Sequence, residues 1–148
     1  MASDDKLFVS KFIRAKREVV YAAWTEPEVM RQWFCPRDLQ LVSAEADVRV
    51  GGRFRAEMSD GSETHTVLGT YREVVPGQRL VFSHQWQERD AVQTLVTVEF
   101  ADRDGGTLVS LTHEGFRNRE SVQGHEAGWE STFDSLQAFL SESPRGAR

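Results

Sequence analysis

The sequence predicts an α+β domain: a curved antiparallel sheet of six or seven strands around one long C-terminal helix, with two short helices after the first strand. Three observations predict it. Short apolar–polar alternations separated by Gly and Pro turns fill the middle of the chain. Near the C-terminus Trp129, Phe133, Leu136 and Leu140 recur at spacings of three and four, which is one stripe of a helix. That helix is the one long element available to cover the buried face of the sheet.

Each element has its own signal. Residues 7–13 read as a strand and 18–24 as a short helix. Thr25, Glu26, Pro27 and Glu28 predict a second helix, with Thr25 as cap, Pro27 in the first turn and Glu28 three residues after the cap. It should run to about Trp33 and break at Cys35-Pro36. Strands are expected at 39–45, 53–58, 64–74, 79–87, 93–101 and 107–113, each pairing with its predecessor as a meander. Asp60-Gly61, Pro76-Gly77 and Asp104-Gly105-Gly106 are the turns, and Glu88, Arg89 and Asp90 lie in a polar loop. The final helix should span 124–140. One helix about 10–12 Å across does not fill the concavity of such a sheet, so a cavity is expected, closed at one end by the two short helices.

Composition bounds the function. A chain of 148 residues buries roughly 70% of its unfolded surface as one domain. No apolar run approaches the roughly 20 residues of a membrane helix, and the acidic start MASDDKLF has no signal-peptide pattern. The lone Cys35 excludes an internal disulfide and a cysteine-clustered zinc site, and fits an expected cytoplasmic location. It has no obvious base beside it, which argues against a reactive thiol. A net charge of −5 argues against a nucleic-acid partner. Lys11, Arg14, Lys16 and Arg17 form a local exception, read as a solvated face. No nucleophile elbow, phosphate loop or dinucleotide fingerprint is present, and no cofactor is expected.

Alternation points Leu80, Phe82, His84 and Trp86 inward from one strand, and His65, Val67, Gly69 and Tyr71 from the strand before it. Gly69 should lie nearly opposite His84 and leave room for the imidazole or a ligand. His113 is inward on the last strand, and Phe54 on an early one. His65, His84 and His113 lie on separate strands, with His84 and His113 at different levels, so a three-histidine metal site is not expected. The candidate ligand-binding residues are Phe54, His65, Tyr71, Phe82, His84, Trp86, His113, Trp129 and Phe133, with Trp86 and Trp129 bordering one pocket whose polar group is His84. For each of them an ordinary core role is the competing reading.

The runs VVYAAWTEPEVMRQWF (19–34), DVRVGGRFR (47–55), GTYREVVPGQRLVFS (69–83), GGTLVSLTHEGF (105–116) and GWESTFDSLQAFL (128–140) resemble the START-like superfamily. Within it they are similar to the branch homologous to the activator of the 90-kDa heat-shock chaperone's ATPase. The resemblance implies a helix-grip fold with a hydrophobic cavity, spanning residues 7–140 as a single domain with flexible tails at 1–6 and 141–148. It leaves activity open, because the superfamily includes carriers, cyclases and chaperone partners. Two departures stand out: Ala15-Lys16-Arg17 opens the first helix where the family often has proline or a polar cap, and His84 stands where it often has an aromatic residue. The first expectation is therefore a carrier or sensor for a small hydrophobic or amphipathic molecule. A co-chaperone-like module with a protein partner, and a cyclase or dehydratase using a cavity histidine, are the alternatives.

Overall fold

The computed structural model describes residues 6–35, 39–87 and 92–141. Seven strands, β1 (Lys6–Ile13), β2 (Gln40–Ala46), β3 (Arg53–Ser59), β4 (Thr64–Val75), β5 (Arg79–Trp86), β6 (Thr94–Arg103) and β7 (Gly106–Glu114), form one antiparallel sheet. Helices α1 (Arg17–Thr25) and α2 (Pro27–Met30) follow β1, and α3 (Arg119–Ser141) closes the chain. The expected helix-grip arrangement is present: a curled sheet, a long C-terminal helix and two short helices after the first strand.

The sheet order is β1-β7-β6-β5-β4-β3-β2, so the last six strands form the expected meander and β1 adds beside β7. Alternation does the sorting: β3 buries Phe54, Ala56 and Met58 and turns Arg53, Arg55 and Glu57 away from the core. Between β6 and β7 the turn is Asp104-Gly105, both at positive φ, as a type I′ two-residue hairpin requires. Lys6 and Ser141, expected in the tails, belong to β1 and α3; residues 1–5 and 142–148 lie outside the described residues, as do Pro36 and the loop residues Glu88, Arg89 and Asp90.

Three local expectations need correction. Thr25 is not the cap of α2: it ends α1, and its hydroxyl donates back to the Tyr21 carbonyl at 3.0 Å. Glu26 takes the cap position with no side-chain cap bond, and Pro27 opens the helix as expected. Second, α2 ends at Met30, although turns carry the chain to Phe34 through the Phe34 N–H to Met30 carbonyl bond. Third, α3 begins at Arg119, five residues before the expected start, because Asn118 caps it by accepting the Ser121 N–H at 2.9 Å.

The core lies between sheet and helices. Trp24 stacks on Trp129 at 6.2 Å and meets Trp33, Phe34, Phe100 and Phe133 edge-on. The Trp33 indole donates to the Ala23 carbonyl at 2.9 Å, which pins the α1–α2 corner. Two of the four clustered cations are neutralised, Lys11 by Asp134 on α3 and Arg17 by Asp102 on β6. Among the described residues no helix is long and apolar enough to cross a membrane.

Candidate functional site

A cavity of about 640 Å³ opens between the concave face of the sheet and the first turns of α3. Met58, His65, Val67, His84 and Trp86 form its sheet wall, and His125, Gly128 and Trp129 its helix wall. Phe34, Cys35 and Leu39 close it from the segment after α2. Gly124 also lines it, and a Cβ placed there would meet nothing within 4 Å. The size falls within the range of small-molecule sites.

Of the nine candidate residues, His65, His84, Trp86 and Trp129 line the cavity. The other five do not. Phe54, Tyr71 and Phe82 pack on one another with ring centroids 5.0–5.9 Å apart, and burial raises the Tyr71 phenol well above its ordinary value, with Tyr21 and Asp47 adding to it. Phe133 is core, 1% exposed. His113 is fully buried behind the cavity wall. The space at Gly69 is also taken: a Cβ there would collide with the Phe54 ring and the Ser83 carbonyl, so the missing side chain makes room for Phe54.

His84 and His113 lie at different levels as expected, opposite Thr94 and Val96 of β6, yet their rings touch at 4.7 Å between centroids. They lean toward each other across β6, whose position opposite His84 holds only the small Thr94. His125 joins them at 6.0 Å from His84 and 5.4 Å from His113. This third imidazole was missed, although it stands one helical turn before Trp129 on the same stripe.

Hydrogen bonds fix the protonation of two of these rings. The Trp129 indole N–H donates to His113 Nδ1 at 3.0 Å, so the ring's proton sits on Nε2. That proton goes to Thr94 Oγ1 at 2.6 Å, and the threonine hydroxyl donates onward to the His84 carbonyl at 2.9 Å. The Trp86 indole likewise donates to His125 Nε2 at 3.0 Å, leaving His125 Nδ1–H for the Ser121 carbonyl at 2.9 Å. Both rings are therefore neutral, and with their nitrogens committed they do not assemble a metal site with His84.

His84 differs. It is 6% exposed, faces the cavity, and its ring nitrogens hydrogen-bond no other described residue. Burial pushes its imidazole down to about 3, with His125 adding to the effect and its own backbone offsetting a little. His113 is held far below its ordinary value, first by burial and then by His84 and His125. Burial raises the Cys35 thiol, partly offset by the Leu41 backbone, so Cys35 is not activated. His65 stands apart at the rim, 3.7 Å from Asp60 and 4.0 Å from Glu63.

Comparison with known proteins agrees with this architecture. The family model described as "Activator of Hsp90 ATPase homolog 1-like protein" matches residues 14–141. The chain belongs to this family. A protein from Rhizobium leguminosarum is 27% identical with a TM-score of 0.76, covering 93% of this chain and 95% of that one. The solution structure of an AHSA1-like protein from Aeromonas hydrophila is 26% identical with a TM-score of 0.76, over 97% and 95%. An AHSA1 protein from Silicibacter pomeroyi, at 22% identity over 92% and 97%, has a TM-score of 0.81 and shares the fold. No curated protein matches the chain.

Proposed function

We propose that the protein is a carrier or sensor that holds a small, largely apolar molecule in the cavity between sheet and α3. The observation that carries this is His84: a buried polar ring facing an apolar-walled space, with no partner supplied by another described residue. Its ring nitrogens are reached from the cavity, so a polar ligand atom entering there can take the hydrogen bond that no other described residue supplies. Trp86 and Trp129 supply ring surface beside it, their N–H groups already engaged with His125 and His113. A cytoplasmic location fits the lone Cys35.

The alternatives receive less support. A general base works best near the operating pH, and an imidazole held down at about 3 is a weak one. A docking face calls for a contiguous apolar patch, but among the described residues the exposed large apolar side chains are three, Phe8 on β1 at one edge of the sheet, and Val42 on β2 and Val50 in the loop after it at the other.

Native mass spectrometry of freshly purified protein, followed by titration with the uncharged fluorophore N-phenyl-1-naphthylamine and with decane, tests the proposal. A co-purified small molecule or a decane-induced change in tryptophan emission is expected, and the change should shrink in Trp86→Phe. If neither probe binds, or both bind without perturbing Trp86 or Trp129, the proposal fails.

A further inference from the structure

Resting on that reading, we infer that the ligand is uncharged and enters polar end first, setting a hydroxyl against His84. Orientation follows from what each end of the cavity offers. At the mouth Asn118 and Glu120 are exposed, so a polar head left there would exchange one wet environment for another. His84 would then be covered by an alkyl tail and kept without a partner, which is the costly arrangement. Turning the ligand round satisfies both groups.

Charge is excluded by the lining. Among the described residues that line the cavity there is no Lys or Arg, and the one carboxylate, Glu120, is at the exposed mouth. The two imidazoles nearest His84 are held neutral by indole N–H donors. A carboxylate or an ammonium brought to His84 would be buried with no counter-charge. The N-terminus of α3, which otherwise favours an anion, has its Ser121 N–H capped by Asn118 and Glu120 in its first turn.

A hydroxyl fits what remains. A neutral imidazole presents one donor and one acceptor nitrogen, and a hydroxyl complements either one. A carbonyl complements only the donor.

Three probes with the same ten-carbon chain separate the cases: 1-decanol, decanoate and decylammonium, titrated at pH 7.5 by tryptophan emission. Decanol should bind at least about tenfold more tightly than either charged probe. His84→Leu should weaken decanol by about two- to tenfold and leave decane unchanged. In the unaltered protein, decanol should shift the ring nitrogen resonances of His84 in the NMR spectrum, which keeps the test valid should His84→Leu misfold. Equal affinity for all three probes, or decanol binding that leaves His84 unperturbed, would place the head at the mouth and overturn the inference. Tighter binding of decanoate than decanol overturns it on charge. If no probe binds, decane included, the cavity reading itself falls and this inference with it.

Discussion

The two ends of the interior are built from the same kinds of ring and behave differently. Beneath α1 and α2, Trp24, Trp33, Phe34 and Phe133 bury one another, and the Trp33 indole is satisfied by a backbone carbonyl. Under the first turns of α3, the Trp86 and Trp129 indoles donate to imidazoles instead. Trp129 belongs to both ends, stacking on Trp24 and donating to His113. What separates them is where the partnered indole N–H groups go, Trp33 to a carbonyl and Trp86 and Trp129 to imidazoles, while Trp24 Nε1 at the closed end is buried without a partner among the described residues. Rings that pack chiefly on one another close a core, whereas rings whose N–H groups pair with histidines hold open a wall with His84 facing the space.

The closed end should carry more stability, and Phe133→Ala is the sharpest way to break it. The ring is 1% exposed and packs against Trp24 and Trp129, so truncation leaves a void that α3 does not fill. A loss of about 3–5 kcal/mol is expected in urea denaturation. A loss below about 1 kcal/mol would mean that this face of α3 does not hold the core.

The open end should instead carry the acid sensitivity. His84 and His113 are both held below their ordinary value of about 6.5 in the folded chain. Between the folded and unfolded values the unfolded chain binds more protons, so stability falls as pH falls. Full stability is present above about 6.5 and is lost progressively toward about 3, the folded value for His84. Each histidine should cost about 2 kcal/mol between pH 6.5 and 5, a range in which ordinary carboxylates stay ionised. Denaturation curves across that range check it, and His84→Leu should remove about half of the slope. A flat profile would mean that neither imidazole is buried in its neutral form.

Much of this was legible in the sequence because periodicity reports burial. The strands, the helix stripe and the inward direction of His84 and Trp86 all follow from it. Two features were not legible. Alternation fixes the face on which a side chain lies but not how far curl carries it sideways, so the approach of His84 and His113 over Thr94 was hidden. The stripe that reveals Trp129 is defined by its apolar residues, and His125, one turn earlier on it, adds no apolar signal. Phe54, Tyr71 and Phe82 show the converse: inward aromatics that line no cavity, because the gap at Gly69 admits the Phe54 ring.

The smallest change that separates the two ends is Thr94→Val, which keeps the volume and deletes one hydroxyl. Thr94 is 7% exposed and accepts the His113 Nε2 proton while donating to the His84 carbonyl. Without the oxygen, that proton has no acceptor in a site closed to water. Moving it to Nδ1 does not help, because Nδ1 would then point a hydrogen at the Trp129 indole N–H. Either tautomer leaves a buried polar group unpaired, at about 1–3 kcal/mol. Thr94→Ser keeps the oxygen and should retain most of the stability, losing chiefly the packing of one methyl group. The NMR signals of the His113 ring and the Trp129 indole N–H should move in Thr94→Val, while the Trp33 indole, hydrogen-bonded to Ala23 at the closed end, stays in place. Equal stability for the valine and serine variants would show that the hydroxyl bridges nothing, and the histidine wall would lose the feature that distinguishes it from the core.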